Sequence, residues 1–511
     1  MWAKDNSPDS PNLYWLFGPA GSGKSTIAYT IARRFEFAGD SNDTIILGGN
    51  FFCSRQFEET RLSKYIIRTI AYHLALTCKP FADALHRSGN FITKDHSIQT
   101  QIENLLVKPW PSKEPDSAQH RDPSVPSHLD SSVSPYPSPP MPPLNYLIVI
   151  DALDEIHGNG GSDFLRNLLN VVNKHRLPGL KFFVTSRSDP GLVADVEKFE
   201  RKHRYRLQDV KEEEVRDDIA TYINASLPDP LYRSQVEALV VLSAGLFIYA
   251  TTVVKYLATC GRSEQQDFLA ELLPTANSST PQLLSDVTSF TLLDTLYLQV
   301  LRQAFREFIP KSPKWAARLR ILHTFLCTAD RTSTSVIADL LFTSDYTDVA
   351  EKLLSYLHAV LYTEDGQVLA YHKSFSDFIF DQARSDDFWC DQATSHQLLT
   401  DSCFRIMKDG LRFNIANISS SFMLDGDDST LVDAVKMNIS PVLSYCCRNW
   451  GYHLSSTVST TPHLCDTLSD FLQIRALFWI EAMNLLGLRG RCKPILRAAH
   501  EWVVESNVST L

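Results

Sequence analysis

The stretch LYWLFGPAGSGKSTIA, residues 13–28, limits the possible folds more than any other part of the chain. It consists of an apolar run, a turn that contains glycines, and a helix-forming segment. Glycine adopts positive φ angles at little cost, so such a turn can point several backbone N–H groups at one anion. The unpaired N–H groups at the start of the following helix strengthen the same field. The stretch therefore predicts a strand, an anion-binding loop and a helix, as in a βα unit of a parallel sheet.

The spacing within this stretch is that of the phosphate-binding pattern G-x-x-x-x-G-K-[ST]. It predicts that Lys24 reaches the β- and γ-phosphates of a nucleotide, that Ser25 binds Mg²⁺, and that Thr26 lies near the α-phosphate. The alternative is a glycine-rich turn that only connects a strand to a helix. The residues predicted to bind the nucleotide are Gly18, Pro19, Ala20, Gly21, Ser22, Gly23, Lys24, Ser25 and Thr26.

A second signal lies in YLIVIDALDE, residues 146–155, where Asp151 ends an apolar strand. The carboxyl ends of parallel strands meet at one edge of a sheet, so Asp151 is predicted beside the glycine-rich turn, where it holds Mg²⁺ through water. Asp154 and Glu155 follow within one turn, and one of them orients or deprotonates the attacking water. The sequence leaves open which of the two does so. Alternatively, either residue is a solvated carboxylate at the start of a helix.

A third signal is KFFVTSRSDP, residues 181–190, in which Thr185, Ser186 and Arg187 end another apolar strand. A cation at this edge of the sheet is predicted to contact the γ-phosphate and so to distinguish ATP from ADP. The alternative for Arg187 is an ion pair at the protein surface.

Apolar runs and segments of helical period alternate through the first 205 residues, a pattern that is typical of βαβ units. The fold class is therefore α/β, a P-loop NTPase parallel sheet flanked by helices, followed by a helical region, a winged-helix unit and an all-α C-terminal region. The predicted strands are Leu13–Phe17, Ile45–Phe52, Tyr146–Asp151, Lys181–Thr185 and His203–Leu207.

Four domains are predicted: an NTPase core at 1–208, a helical domain at 209–300, a winged-helix domain at 301–385 and a C-terminal helical domain at 386–511. Residues 109–143 carry eleven prolines and eight serines, which predicts a disordered insertion in the first domain. The winged helix is inferred from helices that precede a β-hairpin turning at Asp365-Gly366.

The overall charge gives no broad basic surface for nucleic acid or an anionic membrane, because 49 basic and 59 acidic residues leave a net charge of -10. Ten cysteines without a CxxC pair favour a reducing compartment, and the polar N-terminus is not an export signal. The apolar stretch 238–254 is too short to span a bilayer and is predicted to be a buried helix. We therefore expect a cytoplasmic protein that binds neither nucleic acid nor membrane.

The segments GPAGSGKST, FFCSR, IDALDE, FVTSR and GLFIYA together resemble the NACHT domain of fungal signalling NTPases, which belong to the STAND class. The resemblance implies ATP or ADP with Mg²⁺ as cofactors, slow ATP hydrolysis, self-association, and other signalling proteins as partners. The chain departs from related receptors at Gly245-Leu246-Phe247, where these often place a proline against the adenine.

The resemblance extends beyond the predicted NTPase core. LAYHKSFSDFIFD, residues 369–381, resembles the winged-helix segment whose histidine contacts the β-phosphate of ADP, which implies that His372 is the latch of the resting state. The alternative is a histidine with ordinary hydrogen bonds at a strand edge. The final region resembles the helical segment that leads into WD repeats in mushroom-type relatives. Effector and repeat modules are expected elsewhere in a longer gene product or in partner proteins.

Three functions fit these observations. The first is a switch that ADP keeps closed and that ATP releases to oligomerise. The second is an interaction scaffold in which the nucleotide is only structural. The third is a P-loop small-molecule kinase, against which the acidic end of IDALDE argues because it suits water activation. Binding of DNA by the winged helix is disfavoured, because residues 365–381 hold one lysine, Lys373, against several aspartates.

Overall fold

The structure is a computed structural model of the 511-residue chain. It describes residues 2–5, 7, 10–36, 44–89, 97–110, 145–175, 177–187, 204–206, 212–227, 231–273, 289–330, 332–341, 346–419, 429–458 and 462–508. Most of the predicted insertion, residues 111–143, lies outside these ranges. The first residues of that insertion, 109 and 110, lie within the described ranges. Trp110 is buried against Phe81 and Tyr146, and its indole N–H donates to the Pro178 carbonyl.

The first of two compact units, Met1–Val215, contains a five-stranded parallel sheet in the order β2-β3-β4-β1-β5. Two predicted strands are confirmed at both ends, while β3 starts one residue earlier than predicted and β4 is one residue longer at each end. His203 and Leu207, predicted to flank the last strand, lie outside the described residues. The strands are β1 (Leu13–Phe17), β2 (Ile45–Phe52), β3 (Asn145–Asp151), β4 (Leu180–Ser186) and β5 (Arg204–Arg206).

Helices cover both faces of this sheet. One face packs Ala28, Ala32 and Phe35 of the first helix against Leu16, Val149 and other strand residues. The opposite face holds a larger apolar cluster that includes side chains of the third and sixth helices. The helices are α1 (Lys24–Glu36), α2 (Glu58–Arg61), α3 (Ile66–Thr77), α4 (Lys79–Ser88), α5 (Ile98–Ile102) and α6 (Gly160–Lys174).

The second unit, Arg216–Leu511, is mainly helical in its described part. Its first half contains α7 (Glu212–Ser226), which begins before the boundary, then α8 (Arg233–Ser243), α9 (Phe247–Thr259), α10 (Arg262–Leu272), α11 (Ser289–Phe305), α12 (Pro313–Cys327), α13 (Thr334–Leu340) and α14 (Tyr346–Tyr356). After a hairpin follow α15 (Lys373–Ile379), α16 (Gln382–Ser385), α17 (Gln392–Gly410), α18 (Leu431–Asn438), α19 (Pro441–Ser455), α20 (Pro462–Ile474), α21 (Ala476–Leu485) and α22 (Cys492–Val508).

The predicted hairpin is confirmed: β6 (Leu361–Glu364) pairs antiparallel with β7 (Gln367–Ala370). Its two turn residues have positive φ angles, 51° at Asp365 and 74° at Gly366, which is the geometry that tight hairpin turns favour. Thr332 forms an isolated antiparallel bridge with Val368 of β7. The described part of the chain after residue 387 contains helices and no strand.

The apolar stretch 238–254 is two helices rather than the single helix predicted from its composition. α8 ends at Ser243 and α9 begins at Phe247, because Ala244 and Gly245 take positive φ angles of 44° and 76° that no α-helix contains. Within the described ranges, no helix combines the length and apolar content needed to cross a bilayer.

Candidate nucleotide-binding site

The loop between β1 and α1 has the backbone that its glycines predict. Gly21 and Gly23 have φ angles of 77° and 87°, where a side chain would be strained. The Ser22 hydroxyl donates to the Pro19 carbonyl at 2.9 Å, which closes the loop on itself. α1 starts at Lys24, so the loop and the first turn of a helix present their N–H groups together.

Lys24 lies inside this loop, with only 8% of the residue exposed. Its ammonium donates to the carbonyl oxygens of Gly18 and Pro19 at 3.0 and 2.7 Å. Its positive charge also acts on the nearby Asp151 carboxylate, so Lys24 lies at the carboxyl edge of the sheet.

Asp151, at the end of β3, is buried and lies next to the loop. The Thr185 hydroxyl donates to its Oδ1. Burial raises the pKa of Asp151, while hydrogen bonds from Thr185 and Ser25 and the charge of Lys24 act in the opposite direction. The predicted phosphate-binding lysine and both predicted magnesium ligands therefore lie together at the carboxyl edge of the sheet.

Asp154, which follows β3 closely, is held by an arginine at the end of β4. The backbone N–H of Arg187 donates to Asp154 Oδ1 at 3.0 Å, and its Nε lies 3.0 Å from Asp154 Oδ2. The two side chains are 30% and 21% exposed, so the ion pair is partly screened by water. The structure thus joins two residues to which the sequence assigned separate roles.

Glu155 contacts the loop after β2. Its Oε2 accepts the backbone N–H of Arg55 at 3.1 Å, and the Arg55 guanidinium donates to the Asp154 carbonyl at 3.2 Å. The acidic turn is therefore bound on one side by Arg55 and on the other by Arg187. Both carboxylates accept hydrogen bonds in this structure, and Asp154 is also paired with the Arg187 guanidinium.

Three residues of this edge were not predicted as site residues: Cys53, Arg55 and Thr185. Burial, together with the nearby carboxylates of Asp151, Glu155 and Asp154, raises the pKa of Cys53 well above its ordinary value, so this thiol stays neutral. The signal that could have found all three is their position at the ends of β2 and β4, because these ends share an edge with the glycine-rich loop.

The site suits magnesium in the way that proteins usually hold this ion. Mg²⁺ takes hard oxygen ligands, often one or two carboxylates together with substrate phosphates and waters. A buried Asp151 carboxylate beside the Ser25 hydroxyl provides such oxygens. In the part of the chain that the structure describes, no group of three or more His, Cys, Asp or Glu side chains is arranged to hold a metal by itself.

His372, the predicted latch, caps α15 in the second unit. Its Nδ1 accepts the backbone N–H of Ser374 at 3.1 Å and lies 2.7 Å from the Ser374 hydroxyl. That hydroxyl lies 2.6 Å from the Tyr297 hydroxyl, and burial raises the pKa of Tyr297 above its ordinary value. One ring nitrogen of His372 is therefore assigned to capping, while the role predicted for the residue remains a prediction.

The glycine-rich loop and Lys24 lie in the part of the chain that one protein-family model matches. The family model described as "Nephrocystin 3, N-terminal" matches residues 1–122. The first unit has a P-loop NTPase-like fold. This match does not show membership of the NACHT family, so the resemblance to that family remains a prediction.

Comparisons with other known proteins add little to this conclusion. No curated protein matches the chain. A Walker-type ATPase of Pyrococcus abyssi is 14% identical, with 73% of this chain and 91% of that chain covered and a TM-score of 0.28. A Drosophila ORC structure bound to DNA is 13% identical, with 72% and 88% covered and a TM-score of 0.26. These scores are too low for either structure to assign a residue here.

Proposed function

We propose that the chain is a nucleotide-dependent signalling switch of the STAND class, which binds ATP or ADP with Mg²⁺ and hydrolyses ATP slowly. The observation that carries the proposal is the placement of the buried Lys24 ammonium, Ser25 and the Asp151 carboxylate at one edge of a parallel sheet. A positive charge and two oxygen ligands at a glycine-rich loop are what a magnesium–nucleotide complex requires.

Within this proposal each site residue has one role. The loop from Gly18 to Thr26 binds the phosphates, Ser25 and Asp151 hold Mg²⁺, and Asp154 or Glu155 activates water. Arg187 contacts the γ-phosphate in place of its partner Asp154, which makes its contacts differ between the ATP and ADP states. A ligand shifts a conformational equilibrium only through such unequal affinity for the two states.

We also propose the four-domain organisation given by the sequence, with a winged helix at 301–385. In support, α12, the Thr332 bridge, α13, α14 and the β6–β7 hairpin follow one another in the order expected of a winged helix. In the resting state the ADP-bound chain is monomeric, and exchange to ATP allows self-association and binding of other signalling proteins.

Lys24→Ala is expected to weaken the binding of both ATP and ADP by about 10- to 100-fold, because it removes a charged donor to the phosphates. Titration of a fluorescent ATP analogue into the full chain measures the change. Lys64→Ala, which removes an exposed positive charge from the same unit, is the matched control and should bind as wild type does. Equal affinities of Lys24→Ala and wild type would remove the basis of the proposal.

His372→Asn separates the proposed latch from helix capping. Asparagine is a good capping residue, so α15 keeps its cap while the imidazole is lost. We expect weaker ADP binding, by about 5- to 10-fold, and a larger oligomer fraction in ADP, in the range of typical coupling energies. Light scattering of the ADP-bound and ATP-bound protein measures this. Unchanged ADP affinity and size in the variant would exclude the latch, and identical sizes of wild type in ATP and ADP would favour a scaffold.

A further inference from the structure

The hydroxyl of Thr185 makes two hydrogen bonds at the candidate site. β4 lies between β1 and β3 in the sheet, so the end of β4 is placed between the glycine-rich loop and Asp151. Thr185 is fully buried there. Its Oγ1 accepts the backbone N–H of Ala152 at 2.9 Å and donates to Oδ1 of Asp151.

The direction of these hydrogen bonds is fixed by their chemistry. A backbone N–H can only donate, so Thr185 Oγ1 must be the acceptor towards Ala152. An ionised carboxylate can only accept, so the single hydroxyl proton of Thr185 must go to Asp151. The pair of bonds therefore occupies the hydroxyl and holds one carboxylate oxygen in a defined position. Because the carboxylate group is planar, fixing Oδ1 of Asp151 also fixes the position of Oδ2.

The hydrogen bond from Ala152 to Thr185 also stabilises an unusual backbone conformation at Ala152. Ala152 has a φ of 55°, in the left-handed region that residues other than glycine rarely adopt. Such a conformation costs of order 1–3 kcal/mol and persists only where neighbouring contacts enforce it. The hydrogen bond from Ala152 to Thr185 is one of these contacts, and Leu153–Glu155, the turn that carries Asp154 and Glu155, follows directly.

We propose that Thr185 is a positioning residue, which orients the Asp151 carboxylate for a magnesium ion held jointly with Ser25 and a nucleotide. The inference rests on the proposed nucleotide-binding function. Thr185 itself does not contact the ion. Groups that hydrogen-bond to a metal ligand commonly change metal affinity by about 10- to 100-fold when they are removed.

Thr185→Val tests this, because valine keeps the shape of threonine and removes the hydroxyl. We expect ATP binding in EDTA to be within about twofold of wild type. The Mg²⁺ concentration that gives half of the magnesium-dependent gain in ATP binding should rise by about 10- to 100-fold. Titration of Mg²⁺ into the full chain with a fluorescent ATP analogue separates these two quantities. A residue with a purely structural role would change ATP binding in EDTA as well.

Two further variants control the result. Thr185→Ser keeps the hydroxyl and should restore the half-saturating Mg²⁺ concentration to within about threefold of wild type. Ser186→Ala removes the neighbouring hydroxyl of the same strand, which accepts from Trp15 and donates to the Arg187 carbonyl, and should leave the Mg²⁺ titration unchanged. If Thr185→Val does not fold, Thr185→Ala takes its place, since it removes the same hydroxyl without a methyl group against the carboxylate.

The outcomes separate this inference from the proposed function. A wild-type half-saturating Mg²⁺ concentration in folded Thr185→Val or Thr185→Ala overturns the role of Thr185 and leaves the nucleotide site intact. A large rise of the half-saturating Mg²⁺ concentration in Thr185→Ser overturns the role of Thr185 as well, because serine can keep both hydrogen bonds. Absence of any ATP binding by wild type overturns the proposed function and the inference together.

Discussion

Gly161→Ala is expected to destabilise the first unit by about 3 kcal/mol or more and to weaken ATP binding, because a β-carbon has no space at this position. An alanine Cβ would lie 1.9 Å from the carbonyl oxygen of Leu153 and 2.8 Å from its carbonyl carbon. Real β-carbons do not approach backbone atoms so closely, so either the helix or the turn must move. Urea unfolding of the full chain measures the stability, and titration of a fluorescent ATP analogue measures the binding.

The turn is the part expected to move. α6 is anchored in the apolar core by Phe164, Leu165 and Leu168, each fully buried, so its displacement would break many contacts. The Leu153–Glu155 turn is shorter, and its displacement carries away Asp154 and Glu155. Gly161→Ala therefore links a packing defect to the loss of the contacts with Arg187 and Arg55.

Gly160→Ala is the matched comparison on the same helix. Its Cβ would meet the Cγ2 atom of Ile156 at 2.8 Å, a less severe overlap than the 1.9 Å contact of Gly161→Ala with a backbone oxygen. Gly490→Ala, where a Cβ meets nothing within 4 Å, controls for the effect of alanine itself. Gly161→Ala is expected to destabilise the protein much more than Gly160→Ala does, and Gly490→Ala is expected to change the stability very little. Equal stability of the Gly161 and Gly490 variants would show that α6 and the turn do not pack as described.

Much of the site could be predicted from the sequence, because its parts follow from local pattern and one rule of sheet geometry. An apolar run before a glycine-rich turn defines β1, and a second apolar run that ends in Asp151 defines β3. Parallel strands bring their carboxyl ends to one edge, so Lys24 and Asp151 had to approach each other. The hairpin at Asp365-Gly366 was predictable for the same local reason.

The contacts that orient these groups could not be predicted, because they depend on strand order and packing. Thr185 touches Asp151 across 34 residues of chain because β4 lies between β1 and β3. The pairing of Arg187 with Asp154 has the same origin. The break of 238–254 was missed for a different reason, since composition favoured a continuous helix whereas Ala244 and Gly245 adopt the positive φ angles that end α8.

A second buried polar network, in the described part of the second unit, is expected to make stability sensitive to pH. Nδ1 of His396 on α17 lies 2.9 Å from Nδ1 of His453 on α19, and Nε2 of His453 lies 2.7 Å from the Tyr445 hydroxyl. The Tyr445 hydroxyl accepts the backbone N–H of Ala329 at 3.1 Å, so it can donate its proton to His453. In this arrangement His453 donates from Nδ1 to Nδ1 of His396, which is then the unprotonated acceptor.

Stability of the full chain is therefore expected to fall as pH decreases from 7 to 5. Burial lowers the pKa of His396 from 6.5 to about 4. Between these values the unfolded chain binds a proton that the folded chain does not, so unfolding is favoured as pH falls. This histidine accounts for a loss of about 2 kcal/mol between pH 7 and pH 5, and about 3 kcal/mol at lower pH.

His396→Gln cannot take up a proton but keeps an acceptor for His453, so it should remove this part of the pH dependence. His500→Gln, which removes an exposed histidine, should retain it. The measurement is the free energy of urea unfolding of wild type and both variants at pH 5, 6 and 7, and parallel curves for wild type and His396→Gln would contradict the role of the buried pair.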